Sequence, residues 1–304
     1  MKISSCLAIA VIFPVLLSCQ SPQQQTDNAE VVDGSNSMEI NLRKRVSKTD
    51  AENQWELVEF QEKWDPGKTA IIITDMWDKH WCESATQRVN ELAPKMDKVV
   101  RKARDLGVMI IHSPSGTMDF YEGDPARINA KEAGFHQSSE GIQINDWCYL
   151  DPEKESQLPI DDSDGGCDKP CPDGKPCVEA TAWSRQTPDI KIEAHDYITD
   201  QGQEVFNVLM ENGIEHVIVM GVHLNMCVLG RPFAIRQMAN MDKNVVLMRD
   251  MTDTMYNPEM PPHVSHFDGT DLVIEHVERY WAPTILSNDF TGEPAFVFRE
   301  ANGS

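Results

Sequence analysis

Short runs of β-branched residues alternate with amphipathic stretches from residue 70 onward, and this alternation leaves few folds open to the chain. Ala70-Ile71-Ile72-Ile73-Thr74, Val108-Met109-Ile110-Ile111-His112, Glu215-His216-Val217-Ile218-Val219-Met220 and Asn244-Val245-Val246-Leu247-Met248 are too short for helices and rich in Val and Ile. Each reads as a buried strand. Between the first two, Val89, Leu92, Met96, Val99, Val100 and Ala103 recur at helical spacing over residues 86–105, and Gly107 supplies a C-terminal stop. Further helices are expected over residues 203–211, stopped by Asn212-Gly213, over 228–241 and over 271–280. Strands alternating with helices imply an α/β fold, a mostly parallel, doubly wound sheet covered on both faces.

In such sheets ligands bind beyond the carboxyl ends of the strands. Asp75 follows the first strand, His112 ends the second, and Asp250 and Asp253 follow a later one. In Gly221-Val222-His223-Leu224-Asn225-Met226-Cys227-Val228 a cysteine stands where an apolar run ends and a helix is expected to start. Backbone N–H groups and the helix dipole favour a thiolate at such a turn. Taken singly, Cys227 reads as a small core hydrophobe, Asp75 as a helix cap and His112 as a hydrogen-bonded core histidine. Together at one sheet edge, an acid, a histidine and a thiol are what nucleophilic catalysis requires.

Ile71-Ile72-Ile73-Thr74-Asp75-Met76-Trp77 resembles the first-strand motif of the isochorismatase-like cysteine hydrolases, to which the nicotinamidases are related. Gly221 to Val228 is similar to their G-x-x-T-N-x-C-V segment. The resemblance extends over residues 69–283. It implies a three-layer α/β/α sandwich with a sheet of about six strands and an Asp-Lys-Cys triad. In that triad the aspartate takes the thiol proton, the lysine pairs with it, and the cysteine attacks a carbonyl carbon to give a thioester that water hydrolyses. By this resemblance the triad is Asp75, Lys191 and Cys227. Lys191 stands in Asp189-Ile190-Lys191-Ile192-Glu193, which alternates like a short strand, in the right chain order. The family's small residue and phenylalanine are replaced after it by Ala194-His195-Asp196-Tyr197. The resemblance also implies a cis peptide at Val222-His223 and an oxyanion hole from the N–H groups of His223 and Cys227.

Arg231, four residues after Cys227, suits a carboxylate-bearing substrate or pairs with an acid. Pro232 fits a helix only in its first turn. Trp77, His80, His112, Asp119 and Phe120, with Trp81 and Tyr121, are expected to shape a substrate pocket. Asp78, His80, His112 and Asp119 have the ligand types of the nicotinamidase metal. That family's D-x-H arrangement is absent after the second strand, where Ser113 to Tyr121 stands, and no metal or other cofactor is expected.

The N-terminus addresses the protein. Met1-Lys2 precedes an apolar run over residues 6–17, too short to span a bilayer and suited to a signal peptide over residues 1–18. Leu16-Leu17-Ser18-Cys19 resembles the lipobox of bacterial lipoproteins, which implies lipidation at Cys19 and anchoring to the cell envelope. Residues 19–48, poor in apolar side chains, read as a flexible tether, and 49–304 as one hydrolase domain. The chain carries 49 acidic against 27 basic residues and a net charge of −22. Such a surface repels nucleic acid and anionic lipid, so the expected partners are a small molecule, the membrane through the lipid alone, and further copies of the chain. Residues 135–186 look like an insertion holding Cys148, Cys167, Cys171 and Cys177 among Gly, Pro and Asp. Export favours disulfides among these over a zinc knot, with the pairing open. Cys82 is either buried near the site or paired with one of the four. Hydrolysis of a small amide, ether hydrolysis of the isochorismatase type, and a non-catalytic binding or scaffold lipoprotein all fit this sequence.

Overall fold

Eight strands form one sheet: β1 (Met38–Ser47), β2 (Trp55–Trp64), β3 (Thr69–Thr74), β4 (Met109–Ser113), β5 (Tyr197–Ile198), β6 (His216–Val222), β7 (Asn244–Asp253) and β8 (Thr284–Ile285). Their order across the sheet is β2-β1-β8-β7-β6-β3-β4-β5. The six strands from β8 to β5 pair in parallel, and the hairpin β1-β2 adds two antiparallel strands at one edge. The computed structural model describes residues 37–48, 54–169 and 182–299, all within one compact unit.

Period-2 alternation sorts the strand side chains between two cores. Ile71 and Ile73 of β3, Ile218 and Met220 of β6, and Val246 and Met248 of β7 face α1 (Glu83–Leu106). Ala70, Ile72, Val217, Val219, Val245 and Leu247 point the other way. They meet α3 (Gly202–Glu211), α5 (Ile235–Asn240) and α6 (His266–Tyr280). The result is a three-layer α/β/α sandwich. Three short helices, α2 (Pro125–Glu132), α4 (Cys227–Gly230) and α7 (Asn288–Thr291), complete the fold. Helix α1 ends where Gly107 takes a left-handed φ of 93° and donates back to the carbonyls of Ala103 and Arg104.

Three sequence expectations need correction. The end of the expected tether is strand: Met38–Ser47 pairs with β2 along its length, and Met38, Ile40 and Leu42 bury into the α1-side core. The helix expected over residues 228–241 is two, α4 and α5. Proline after Arg231 forces that residue out of the helical region, to ψ 152°, and breaks the ladder. Residues 189–193 are no strand. Their backbone is held by α1 side chains, with the Asp97 carboxylate accepting from Lys191 N (2.9 Å) and Arg104 donating to Lys191 O (2.7 Å).

The insertion lacks helices and strands among its described residues and is fastened by side chains. The buried Glu155 carboxylate accepts from Arg236 Nε (2.7 Å) and Nη2 (2.9 Å) and meets His276 Nε2 at 2.7 Å. Cys167 is joined to Cys82, 85 residues earlier, while Cys148 is a free thiol donating to Gln237 Oε1. Cys19, the signal peptide, Cys171 and Cys177 lie outside the described residues.

Gly221 sits at the end of β6 with φ 118°, where an added Cβ would lie 2.0 Å from the Thr74 carbonyl oxygen. Gly107 has open space around its Cβ position and only the left-handed φ to satisfy. Gly107→Ala is therefore expected to cost about 1–2 kcal/mol in urea unfolding, and Gly221→Ala to cost clearly more, because β3 and β6 must separate to admit the methyl group.

Candidate active site

Strand order reverses between β3 and β6. From β3 the chain proceeds outward through β4 and β5, then returns to the other side of β3 and proceeds through β6, β7 and β8. The crevice beyond the carboxyl ends of β3 and β6 is thus the topological switch point, where ligands bind in open α/β sheets. Asp75 is the first residue after β3 and Cys227 follows the turn after β6.

Asp75 has a left-handed φ of 49°, an uncommon backbone state for a residue with a side chain. Its N–H donates to Ser113 O (3.1 Å), and Ser115 N donates to its Oδ1 (2.7 Å). Arg231 Nε donates to its Oδ2 at 3.1 Å. The carboxylate is fully buried.

Between β6 and Cys227 the chain makes a tight turn. The Val222–His223 peptide is cis, and the His223 carbonyl accepts from both Met226 N (3.0 Å) and Val228 N (3.1 Å). Asn225 ties the turn to β7's far end by accepting from Met255 N (2.9 Å) and donating to Met255 O (3.0 Å). Cys227 then opens α4, buried, four residues before Arg231 and at the same sheet edge as Asp75. Burial pushes its thiol well above the ordinary range, and the neighbouring Asp75 charge pushes the same way, against Arg231. Burial also raises Asp75, opposed first by Arg231 and then by the hydrogen bonds from Cys227 and Ser115. Burial thus favours a protonated thiol and a more basic carboxylate, and the Arg231 guanidinium bonds that carboxylate.

An aromatic cluster stands beside the turn. Trp77 donates Nε1–H to Ser115 O (3.1 Å) and stacks on Trp183 at 4.1 Å between ring centroids. His80 lies 5.7 Å from Trp183, 4.9 Å from Trp81 and 5.0 Å from His223. His223 Nε2 and Trp183 Nε1 are buried without hydrogen-bond partners. Burial holds His80 down to about 4, with Arg88 adding to the effect, and places His223 well below its ordinary value for the same first reason. Both rings are neutral at pH 7, and His80 Nδ1 accepts from Cys82 N (3.2 Å). Arg88 itself is locked to Asp253 (2.7 Å) and Asp168 (2.8 Å), so Asp253 serves a buried ion network rather than the thiol.

Several residues expected at the site stand elsewhere. Lys191 is exposed and donates Nζ to Pro188 O (2.8 Å); the cation that meets Asp75 is Arg231, delivered by the pre-proline kink four residues after Cys227. His112 is buried with both nitrogens engaged, Nδ1 with Gln186 (3.0 Å) and Nε2 with Asp196 (3.2 Å), and offers nothing to a substrate. Asp119 and Phe120 lie exposed on a short turn, where Arg185 covers the Phe120 ring at 5.3 Å. Asp250, within β7, accepts from Ser287 N (2.9 Å) just before α7. Asp78, His80 and His112 do not gather around a shared point. Asp78 caps Ser184 N (2.9 Å) at the end of the insertion. Among the described residues, the one group able to share an ion is Cys82, Cys167 and Asp168, whose two sulfurs are joined to each other. The donor set for a nicotinamidase-type metal is therefore not assembled. Trp147 and Trp183 were not singled out from the sequence; two tryptophans inside a polar, Gly- and Pro-rich insertion were the available signal.

A doubly wound sheet with a thiol, a carboxylate and a cation converging at its switch point has the parts of a site for nucleophilic hydrolysis. An isochorismatase domain model matches residues 69–261, and the chain belongs to the isochorismatase family of hydrolases. Solved structures similar to it include a cysteine hydrolase from Pseudomonas syringae pv. phaseolicola 1448A, at 16% identity over 75% of this chain and 93% of that one, with a TM-score of 0.44. An isochorismatase from Pseudomonas putida KT2440 gives 12% identity over 74% and 91%, TM-score 0.44. The N-carbamoylsarcosine amidase from Thermoplasma acidophilum gives 14% identity over 73% and 97%, TM-score 0.40. No curated protein matches significantly.

His80 gives a pH signature. Its folded-state value of about 4 lies below the ordinary 6.5, so between these values the unfolded chain binds more protons and stability falls as pH falls. The contribution is whole above 6.5 and gone below about 4. Urea midpoints measured from pH 7 to pH 4 should decline less steeply for His80→Asn than for the parent; equal slopes would contradict a neutral, buried His80.

Proposed function

We propose that the protein is a cysteine-dependent hydrolase of a small amide, with Cys227 as nucleophile, Asp75 as base and Arg231 as the site cation. The observation that carries this reading is the fully buried Asp75 carboxylate, with Arg231 Nε 3.1 Å away, at the switch point where Cys227 opens α4. Moving the thiol proton to Asp75 leaves a thiolate in place of a carboxylate beside the same guanidinium. One anion and one cation are present before and after, so the transfer creates no uncompensated buried charge. The thiolate attacks the amide carbon, and the carbonyl oxygen takes up the electron pair. N–H groups of His223 and Cys227, on the turn closed by the His223 carbonyl, serve in this reading as donors to that oxyanion. As the intermediate collapses, its nitrogen takes the proton from Asp75 and leaves as ammonia, and a thioester remains. Asp75 then deprotonates water, which attacks the thioester, and the returning proton restores the thiol as the acid departs.

An amidase among the similar structures is consistent with C–N cleavage, as an isochorismatase is with ether cleavage. Release of ammonia across a panel of small primary amides tests the proposal. Cys227→Ala should abolish turnover, and Asp75→Asn should lower kcat by roughly 10²–10⁴-fold, the usual worth of a positioned base. A non-catalytic binding protein is the competing reading, favoured by the raised thiol and by the absence of Lys191 from the cluster. Ligand binding by a Cys227→Ala variant, combined with no turnover of any panel member by the parent, would establish it.

The cellular address proposed is the envelope, through lipid on Cys19. The lipobox-like tetrapeptide and a Cys82–Cys167 disulfide support it; no helix among the described residues is long and apolar enough to cross a membrane. Labelled palmitate should be incorporated on expression in a bacterium, and Cys19→Ser should eliminate the label. Persistence of the label in that variant would refute anchoring at Cys19.

A further inference from the structure

Arg231 is held from two sides. One is Asp75; the other is the indole of Trp147, whose ring centroid lies 5.4 Å from the guanidinium carbon, within cation–π range. Trp147 belongs to the insertion, and the segment carrying it is closely fitted. Cys148 N donates to Gly230 O (2.7 Å), Gln237 Nε2 to Gln143 O (3.1 Å), Arg236 Nη1 to Cys148 O (3.2 Å) and Gln203 N to Asn145 Oδ1 (2.9 Å). Two glycines make room for it. A Cβ on Gly202 would stand 1.9 Å from Ile144 O, and one on Gly230 would stand 2.4 Å from the Trp147 ring. Gly230 directly precedes Arg231, so the indole lies against the residue from which the site cation springs.

We infer that Trp147 is a positioning residue: its indole face fixes the Arg231 guanidinium against Asp75 and Cys227, which makes the insertion part of the active-site machinery. The inference rests on the reading of Arg231 as the site cation. Arginine has a long, rotamer-rich side chain. Pre-proline geometry fixes where that side chain starts, and Asp75 fixes where it ends. The indole removes the alternative in which the guanidinium swings out toward water and leaves Asp75 and the thiolate without a counter-charge. A flat aromatic face does this without taking any of the N–H donors that carboxylate and sulfur need.

The test is the rate of iodoacetamide alkylation of Cys227 as a function of pH, followed on the Cys227 peptide by mass spectrometry because Cys148 is a second free thiol. Trp147→Leu should slow alkylation at neutral pH by about 3- to 30-fold and move the rise of the profile to higher pH. Trp147→Phe, which keeps a ring, should restore most of both. Arg231→Gln separates the two levels of the argument. If it shifts the profile and Trp147→Leu does not, Trp147 is structural only and the inference is overturned while the Arg231 reading stands. If neither shifts it, the Arg231 reading itself has failed. Should Trp147→Leu not fold, Trp147→Met against Trp147→Phe decides in the same way: a shift confined to Met supports the inference, and equal profiles overturn it.

Discussion

A carboxylate taken fully out of water is costly unless something compensates it, and the organisation around Asp75 supplies that compensation piece by piece. Ser115 N, from the loop after β4, occupies one oxygen at 2.7 Å. Arg231 Nε, from the break between α4 and α5, reaches the other at 3.1 Å. Two chain segments far apart in sequence must therefore arrive at Asp75 together for the fold to tolerate the group. The switch point between β3 and β6 is where a doubly wound sheet can deliver them, because strands on either side send their loops to the same crevice.

The source of the cation is the main departure from the resemblance read in the sequence. A lysine on a strand before the nucleophile would approach Asp75 from the β4–β5 side. Here the corresponding stretch is pinned to α1 through Asp97 and Arg104, and the Lys191 ammonium turns out to solvent. Arginine supplied from the Cys227 side keeps its charge at every accessible pH and carries several N–H donors in a rigid fork. A longer, more flexible side chain needs more restraint in return. The Arg231-Pro232 pair and the Trp147 face supply it, one from the local chain and one from the insertion.

How much of this could be read from the chain differs element by element. Strands β3, β4, β6 and β7 were legible because each is buried on both faces and reads as an uninterrupted β-branched run. The end of α1 was legible because a left-handed residue is wanted there and Gly107 is it. The hairpin was not, although Met38-Glu39-Ile40-Asn41-Leu42 alternates with period 2; the polar stretch before it dominated the composition, and β1 buries only one face over that run. Asp75 and Cys227 were legible through local motif and strand end. Lys191 misled because alternation over five residues does not distinguish a strand from a backbone held by side chains. His112 sits at a strand end like Asp75 yet turns its ring into the Gln186 and Asp196 pair. Position along a strand fixes the sheet edge; the partners that capture a side chain there come from other segments.

The insertion shows the same limit from the opposite direction. A stretch with no periodicity and many Gly, Pro and Asp residues has the composition of a loop with no core of its own. Its described residues nevertheless contribute Glu155 to a buried bond with Arg236 and His276, Cys167 to a disulfide, Trp183 to a stack on Trp77 and Trp147 to the face of Arg231. None of these contacts is local, so no pattern within the segment announces them. Ordering so irregular a stretch costs conformational entropy at every residue, and polar, charged and aromatic anchors to α1, α5, α6 and the post-β3 loop offset it where an apolar face is lacking. Two of those anchors, Trp147 and Trp183, end on Arg231 and Trp77 beside the candidate site. The contacts that fasten the insertion to the domain are thus also contacts that shape the site, and the stability of the one and the geometry of the other are coupled through the same side chains.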